Sequence, residues 1–268
     1  MLKHEGNLAS HKPASTPFPC FSPNALTDPL VADWERFMQS TYEAPEPVRT
    51  VMILLPCSAR KPYRLSKSHG QFFRSISSTG FHEVMMTSPL GLVPRDLEDV
   101  WPASNYDVPV TGDWTQDELA RVRRMLISLV KRTGYKQIIN HTDMDLDFLE
   151  VDVVNTRQNQ GATNFDALAR LSSAVKDAKA THELRNQKNN LRLKQHFMSI
   201  ARKTTGTDAW CHDLVVRGKL PRWRLEHNGT QVAVWSIDRN GFSFSRAAIE
   251  LLHQHGALKT VQLKEGIE

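Results

Sequence analysis

The sequence has only three cysteines in 268 residues, Cys20, Cys57 and Cys211, and they stand far apart. That spacing excludes a disulfide framework and any CxxC zinc ribbon. Cys211-His212 and His253-Gln254-His255 are short pairs without matching second pairs, so no metal site is expected. Long apolar runs are missing too. The longest, around Val51 to Leu55, is far short of a membrane span, so no membrane partner is expected. Lys3 and His4 are not followed by an apolar stretch, so no secretory signal is expected and a reducing cytoplasm is the simplest compartment. A glycine-rich phosphate loop is also lacking, which argues against a bound nucleotide cofactor. Internal repeats are not found.

What is present is an ordinary globular composition, 40% hydrophobic and 24% charged, with a net charge of +5. The excess of positive charge favours an acidic partner, of which nucleic acid is the commonest. Residues 1–28 are rich in Pro, Ser, Asn and His without periodicity and are expected to form a flexible arm. Asp28 can cap a short helix whose face carries Val31, Trp34, Phe37 and Met38.

From about residue 49 apolar strands alternate with amphipathic helices. Thr50 to Leu55, His82 to Met86 and Lys136 to Ile139 read as buried strands. Ser66 or Ser68 can cap a helix carrying Phe72, Phe73 and Ile76. Thr115-Gln116-Asp117-Glu118 is a capping box before Leu119, Val122, Met125, Leu126, Leu129 and Val130, and Gly134 suits the helix end. This alternation predicts an α/β fold with a parallel or mixed sheet core and flanking helices. Ligands of such sheets bind outside the carboxyl ends of the strands. Three polar strand exits are therefore expected at one edge: Pro56-Cys57-Ser58, Thr87-Ser88-Pro89 and Asn140-His141-Thr142-Asp143.

Residues 163–204 read as helical, with a basic later half. After Gly206, Val232, Val234, Phe242, Phe244 and Lys259 to Leu263 read as short strands around one helix, Arg246 to His255. The expected division is an arm (1–28), an α/β core with a basic helical extension (29–204) and a small α+β domain (205–268).

The exit after the first strand reads PCSARKPYRLSKSHGQFF, residues 56–73. Five residues of basic type, Arg60, Lys61, Arg64, Lys67 and His69, surround one thiol. A lone cysteine at a strand end is commonly a small buried hydrophobe. Cations nearby lower a thiol pKa toward the reactive thiolate, which suits a nucleophile instead. Pro56, Cys57, Lys61, Pro62, Tyr63, Ser66 and His69 form the pattern P-C-x-x-x-K-P-Y-x-x-S-x-x-H. That pattern resembles the signature of the archaeosine synthases. The segment TSPLGLVPRDLEDVWPASNYDVPVTG, Thr87 to Gly112, looks like the block that follows in that family. The stretch from Gly218 to Leu252 is similar to the module that precedes the PUA domain in archaeal transglycosylase-like proteins.

What the resemblance implies is action on tRNA bearing 7-cyano-7-deazaguanine (preQ0). Free lysine adds to the nitrile to form an amidine, and a radical SAM partner acts downstream. The residue types suit that chemistry. A thiolate adding to a nitrile gives a thioimidate, which an amine then displaces. Cys57 is the candidate nucleophile, with Lys61 and His69 as thiolate stabiliser and proton donor. Alternatively the lysine amine attacks directly and Cys57 is structural. Tyr63 and Ser66 are candidates for contact with the base or a phosphate, and Ser66 serves equally as a helix cap. Arg95 can fork onto the amino-acid carboxylate or pair internally with Asp96, Glu98 or Asp99. Asp107 and Asp143 can accept from the guanine-like edge or stand as solvated loop carboxylates. Ser88 and Thr111 are further polar candidates.

Familiar archaeosine synthases carry a transglycosylase-like barrel and a terminal PUA domain, for which this chain is expected to have no room. A separate barrel- or PUA-containing subunit is the implied partner. Arg185, Lys188, Arg192, Lys194, Arg222 and Arg224, with Arg217 and Lys219, can substitute as a phosphate-binding surface or be ordinary solvated faces. Two other readings remain at this level. One is the same chemistry on deazaguanine in DNA or as the free base; the other is a non-catalytic tRNA-binding or assembly subunit.

Overall fold

The structure is a computed structural model, and it describes residues 18–19, 23–107, 114–219, 222–236 and 241–258. Two compact units are present. The first holds the described residues up to 98 and from 102 to 188; the second holds 99–101 and those from 189 onward.

In the first unit, β1 (Phe18–Pro19) is followed by α1 (Pro29–Ser40), β2 (Val51–Pro56), α2 (Lys67–Ile76), β3 (His82–Thr87) and β4 (Gly91–Pro94). Then come β5 (Tyr106–Asp107), α3 (Gln116–Thr133), β6 (Gln137–Asn140), β7 (Asp152–Asn155) and α4 (Phe165–Thr181). A five-stranded sheet runs in the order β4-β3-β2-β6-β7. β3, β2, β6 and β7 are mutually parallel, and β4 returns antiparallel to β3. The expected α/β fold with a mixed sheet and flanking helices is borne out.

β2 is the central strand, and Val51, Met52, Ile53, Leu54 and Leu55 are fully buried. A run without polar alternation suits a strand covered on both faces. α1 packs with α3, and α2 with α4. The helix signals in the sequence act as expected. Asp28 accepts from the Leu30 amide at 2.8 Å. Thr115 and Glu118 form the reciprocal capping box, and Gly134 closes α3 at φ 70°. Missed were the antiparallel return β4 and the outer strand β7. Part of the stretch read as a flexible arm is structured, since residues 23–27 form a 3-10 turn and β1 pairs with β5. Cys20 lies outside the described residues.

The second unit comprises α5 (Asn189–Thr205), β8 (Leu214–Lys219), β9 (Arg222–His227), β10 (Thr230–Ser236), β11 (Gly241–Phe244) and α6 (Ala248–Gln254). Its sheet, in the order β11-β10-β9-β8, is antiparallel throughout. The sequence placed the boundary near 204–210, yet α5 packs in this unit. The Phe197 ring lies 6.2 Å from Trp223, 5.9 Å from Trp235 and 6.3 Å from Phe242. β8 and β9 were not anticipated, and Lys259 to Leu263 lies outside the described residues.

Candidate active site

The register places the three expected exits together. Pro56 at the end of β2 pairs with Met86 of β3, while Leu54 pairs with Asn140 of β6. The chains therefore leave three adjacent parallel strands at one edge, the usual ligand edge of such a sheet. One step past the Pro56–Met86 pair stand Cys57 and Thr87.

Cys57 is a half-buried free thiol. Burial pushes its pKa above the ordinary thiol value, against the opposing charge of Lys61 and a hydrogen bond with Thr87. The sequence suggested the opposite direction. Desolvation outweighs the cations: Arg64 pairs with Glu98 and His69 is held neutral. The Lys61 charge does act on the thiol, and its ammonium lies 4.1 Å from the centre of the Tyr106 ring and 6.0 Å from that of Tyr63.

Behind the thiol is a row of hydroxyls. Tyr63 contacts Tyr106 through their phenol oxygens, and Tyr106 in turn contacts the Thr87 hydroxyl. Tyr63 is fully buried, Thr87 is 1% exposed and Tyr106 is 2% exposed. Burial pushes both tyrosine pKa values up, so both remain neutral phenols. Sequence reasoning selected Tyr63 but missed Tyr106 and Thr87. The only available signal was that Thr87 ends a strand beside Cys57 and that Tyr106 lies in the second motif block.

His69 sits one turn into α2, whose N-terminus is capped by Ser66 accepting from the His69 amide at 3.1 Å. Ser66 thus takes the capping role weighed for it. The His69 Nδ1 is 3.1 Å from an Arg95 nitrogen and its Nε2 is 3.1 Å from the Pro56 carbonyl. An arginine only donates, so Nδ1 accepts and Nε2 carries the proton given to Pro56. Burial, then the Arg95 charge, pushes the imidazole pKa down to about 3. A neutral ring with both nitrogens engaged steadies the β2 exit and has no spare proton to donate.

Arg95 is likewise committed within the fold. It holds Glu83 at 2.7 Å and Glu98 at 3.1 Å, and Glu98 also accepts from the Arg64 amide at 3.0 Å. The internal pairing with Glu98 weighed from sequence is present, and Glu83 joins it. Ser88 donates to Glu118. Burial disfavours the Glu118 carboxylate, yet the bonds from Ser88 and Thr115 hold its pKa below the usual range. Asp143 pairs with Arg157 at 2.5 Å. The third exit is tied into itself, since Asn140 bonds Met144 and Asn155 at 2.8 Å and accepts from the Thr142 hydroxyl at 2.7 Å. Asp107 contributes its backbone to β5; its side chain and Thr111 lie outside the described residues.

The proposed phosphate-binding residues fall in both units. Arg185 and Lys188 are exposed in the first. In the second, Arg192, Arg222 and Arg224 are exposed, while Lys194 donates to the His212 carbonyl. Register pairs Arg217 with Arg224 and Lys219 with Arg222, and all four are exposed. Alternation puts them on one sheet face, opposite Trp223 and Leu225. Arg217 also pairs with Glu226 at 2.8 Å.

Parallel strands converging on a thiol, a lysine and a row of hydroxyls define an α/β protein with an enzyme-like site. A family model described as "Domain of unknown function (DUF5591)" matches residues 31–175, and the chain belongs to this family. Archaeosine synthase subunit alpha of Thermoplasma acidophilum is 37% identical over 142 residues, covering 51% of this chain and 27% of that protein. The protein of the same name from Methanosarcina acetivorans is 32% identical over 227 residues, 78% of this chain and 36% of that one. Archaeosine synthase of Haloferax volcanii is 48% identical over 90 residues, 34% of this chain and 15% of that one. The chain thus spans between 15% and 36% of these relatives' lengths. The resemblance read from the motif blocks is borne out. Among solved structures, the crystal structure of AF0587, a protein of unknown function, superposes with a TM-score of 0.61. At 19% identity over 83% of this chain and 74% of that one, it supports the fold alone.

Proposed function

We propose that this chain carries the amidine-forming step of archaeosine biosynthesis, adding lysine to the nitrile of preQ0 in tRNA. The observation that carries the reading is the half-buried Cys57 at the ligand edge of the sheet, beside Lys61. A nitrile carbon is a weak electrophile, and sulfur addition divides one hard step into two easier ones. Cys57 attacks to form the thioimidate, Lys61 stabilises the charge that develops, and the lysine amine then releases the thiol. His69 acts as a positioning residue through Pro56, and Arg95 through His69. The names of the relatives support archaeosine synthesis as the setting, and "subunit alpha" in two of them fits a chain that works with a second subunit. Arg217, Lys219, Arg222 and Arg224 supply a phosphate-facing surface for tRNA. A cytoplasmic setting, with a radical SAM enzyme consuming the lysine adduct, completes the reading.

The test is a mass shift. The protein is incubated with preQ0-bearing tRNA and isotope-labelled lysine, and the RNA is digested to nucleosides. A labelled lysine adduct is expected from the wild type, with a loss of at least about 100-fold in Cys57→Ala. An adduct formed equally by Cys57→Ala removes the covalent step. Absence of an adduct with wild-type protein, with or without a relative's remaining domains, rejects the reaction.

A further inference from the structure

We infer that Thr87 is a catalytic residue of this site, with Tyr106 and Tyr63 as the positioning residues that orient its hydroxyl. The inference rests on the nitrile-addition reading and supplies its missing proton path. Parallel register places Thr87 beside Cys57, one step beyond Pro56 and Met86. The Thr87 hydroxyl meets the Tyr106 phenol and lies 3.4 Å from the Ser88 carbonyl, Tyr63 contacts Tyr106 from the other side, and Thr87 holds the Cys57 pKa down against burial. The row joins three elements, β3, β5 and the 3-10 turn Tyr63–Leu65, at one thiol.

Chemistry explains why a hydroxyl is needed there. Burial favours the protonated thiol, so Cys57 enters the reaction as S–H. Adding S–H across a nitrile requires the sulfur to lose a proton while the nitrile nitrogen gains one. A hydroxyl beside the sulfur can do both. As the S–C bond forms, Thr87 accepts the sulfur proton and passes its own to the nitrogen. One C≡N π bond and the S–H bond break; an S–C bond and an N–H bond form. In the second step an amine N–C bond forms and the C–S bond breaks. The amine proton returns to sulfur by the same hydroxyl, so threonine is regenerated and no outside acid is consumed. His69 has both nitrogens engaged, and the Lys61 ammonium serves the developing charge. Tyr106 keeps the Thr87 hydroxyl from turning away, and Tyr63 fixes Tyr106.

The variants are Thr87→Val, Thr87→Ser and Tyr106→Phe, each in the full chain. Two readouts are taken: the labelled lysine adduct, and the rate of iodoacetamide alkylation at Cys57 against pH, followed by peptide mass. In Thr87→Val the adduct is expected to fall about 100-fold, and the alkylation profile to move up by about one pH unit. Thr87→Ser restores both. Tyr106→Phe lowers the adduct roughly 10-fold with a smaller alkylation shift. Wild-type adduct formation in Thr87→Val overturns the inference, as does an unmoved alkylation profile. Should wild-type protein itself make no adduct, the nitrile reading falls. The alkylation profiles then judge the Thr87–Cys57 coupling alone, a shift supporting it and coincidence rejecting it.

Discussion

At the scale of the residue, the proton donor and the carboxylate fork that the sequence offered, His69 and Arg95, are occupied by holding the fold. Buried ionisable groups persist when each lone pair and proton has a partner, and here Glu83, Glu98, Arg64 and Pro56 provide them. This has a consequence in pH. The His69 pKa falls from 6.5 to about 3 on folding, so below pH 6.5 the unfolded chain binds a proton the folded chain refuses. His69 therefore contributes stability above pH 6.5 that is lost as pH drops toward 3, by up to about 1.4 kcal/mol per pH unit. Gln at this position can still donate to Pro56 and accept from Arg95. Urea unfolding at pH 7, 5.5 and 4.5 is expected to show a shallower loss of stability on acidification in His69→Gln than in wild type. Parallel pH curves for the two proteins would refute it.

At the scale of the element, the second exit is held by geometry that only glycine and arginine provide. Gly91 pairs with Thr87 across the β3–β4 turn at φ +78°, a left-handed conformation costly for other residues. A Cβ there would lie 2.4 Å from the Met125 sulfur, and Met125 is fully buried. Arg121 of α3 spans the turn from behind, donating to the Pro89 carbonyl at 3.0 Å and the Leu26 carbonyl at 2.6 Å while paired with Glu35 at 3.0 Å. Gly91→Ala is expected to destabilise the protein by about 1–3 kcal/mol, read from the urea midpoint. Because Gly91 faces Thr87, the same variant should also slow Cys57 alkylation or shift its profile.

At the scale of the molecule, a positive net charge acquires a location in the second unit. Arg217, Lys219, Arg222 and Arg224 share the exposed face of two paired strands, where Glu226 pairs with Arg217. Each phosphate neutralised releases condensed counterions, so tRNA affinity should fall steeply with salt. Replacing Arg222 and Arg224 with Gln is expected to reduce the slope of log affinity against log salt by roughly 1.4–1.8, measured by anisotropy of labelled tRNA. Both side chains are exposed, so the urea midpoint should stay near wild type. An unchanged slope would separate this face from the nucleic acid.

Periodicity, caps and the motif blocks were enough to read the parallel α/β core, the bounds of α3 and the exit carrying Cys57, because those depend on local chemistry and a repeating apolar pattern. The sequence also separated a C-terminal α+β region, though not the allegiance of α5, which Phe197 settles by packing among Trp223, Trp235 and Phe242. Which polar residues meet at the thiol was beyond sequence. Thr87 and Tyr106 lie 30 and 49 positions from Cys57, and parallel pairing and the β1–β5 contact join such distant segments. Desolvation was hidden for the same reason. A row of cations in sequence suggests an activated thiolate, but the fold turns Arg64 toward Glu98 and leaves the thiol partly buried beside Lys61. The sequence alone determined which reactive residue types were available; the tertiary structure decided which are buried, which are already paired and which gather beside Cys57.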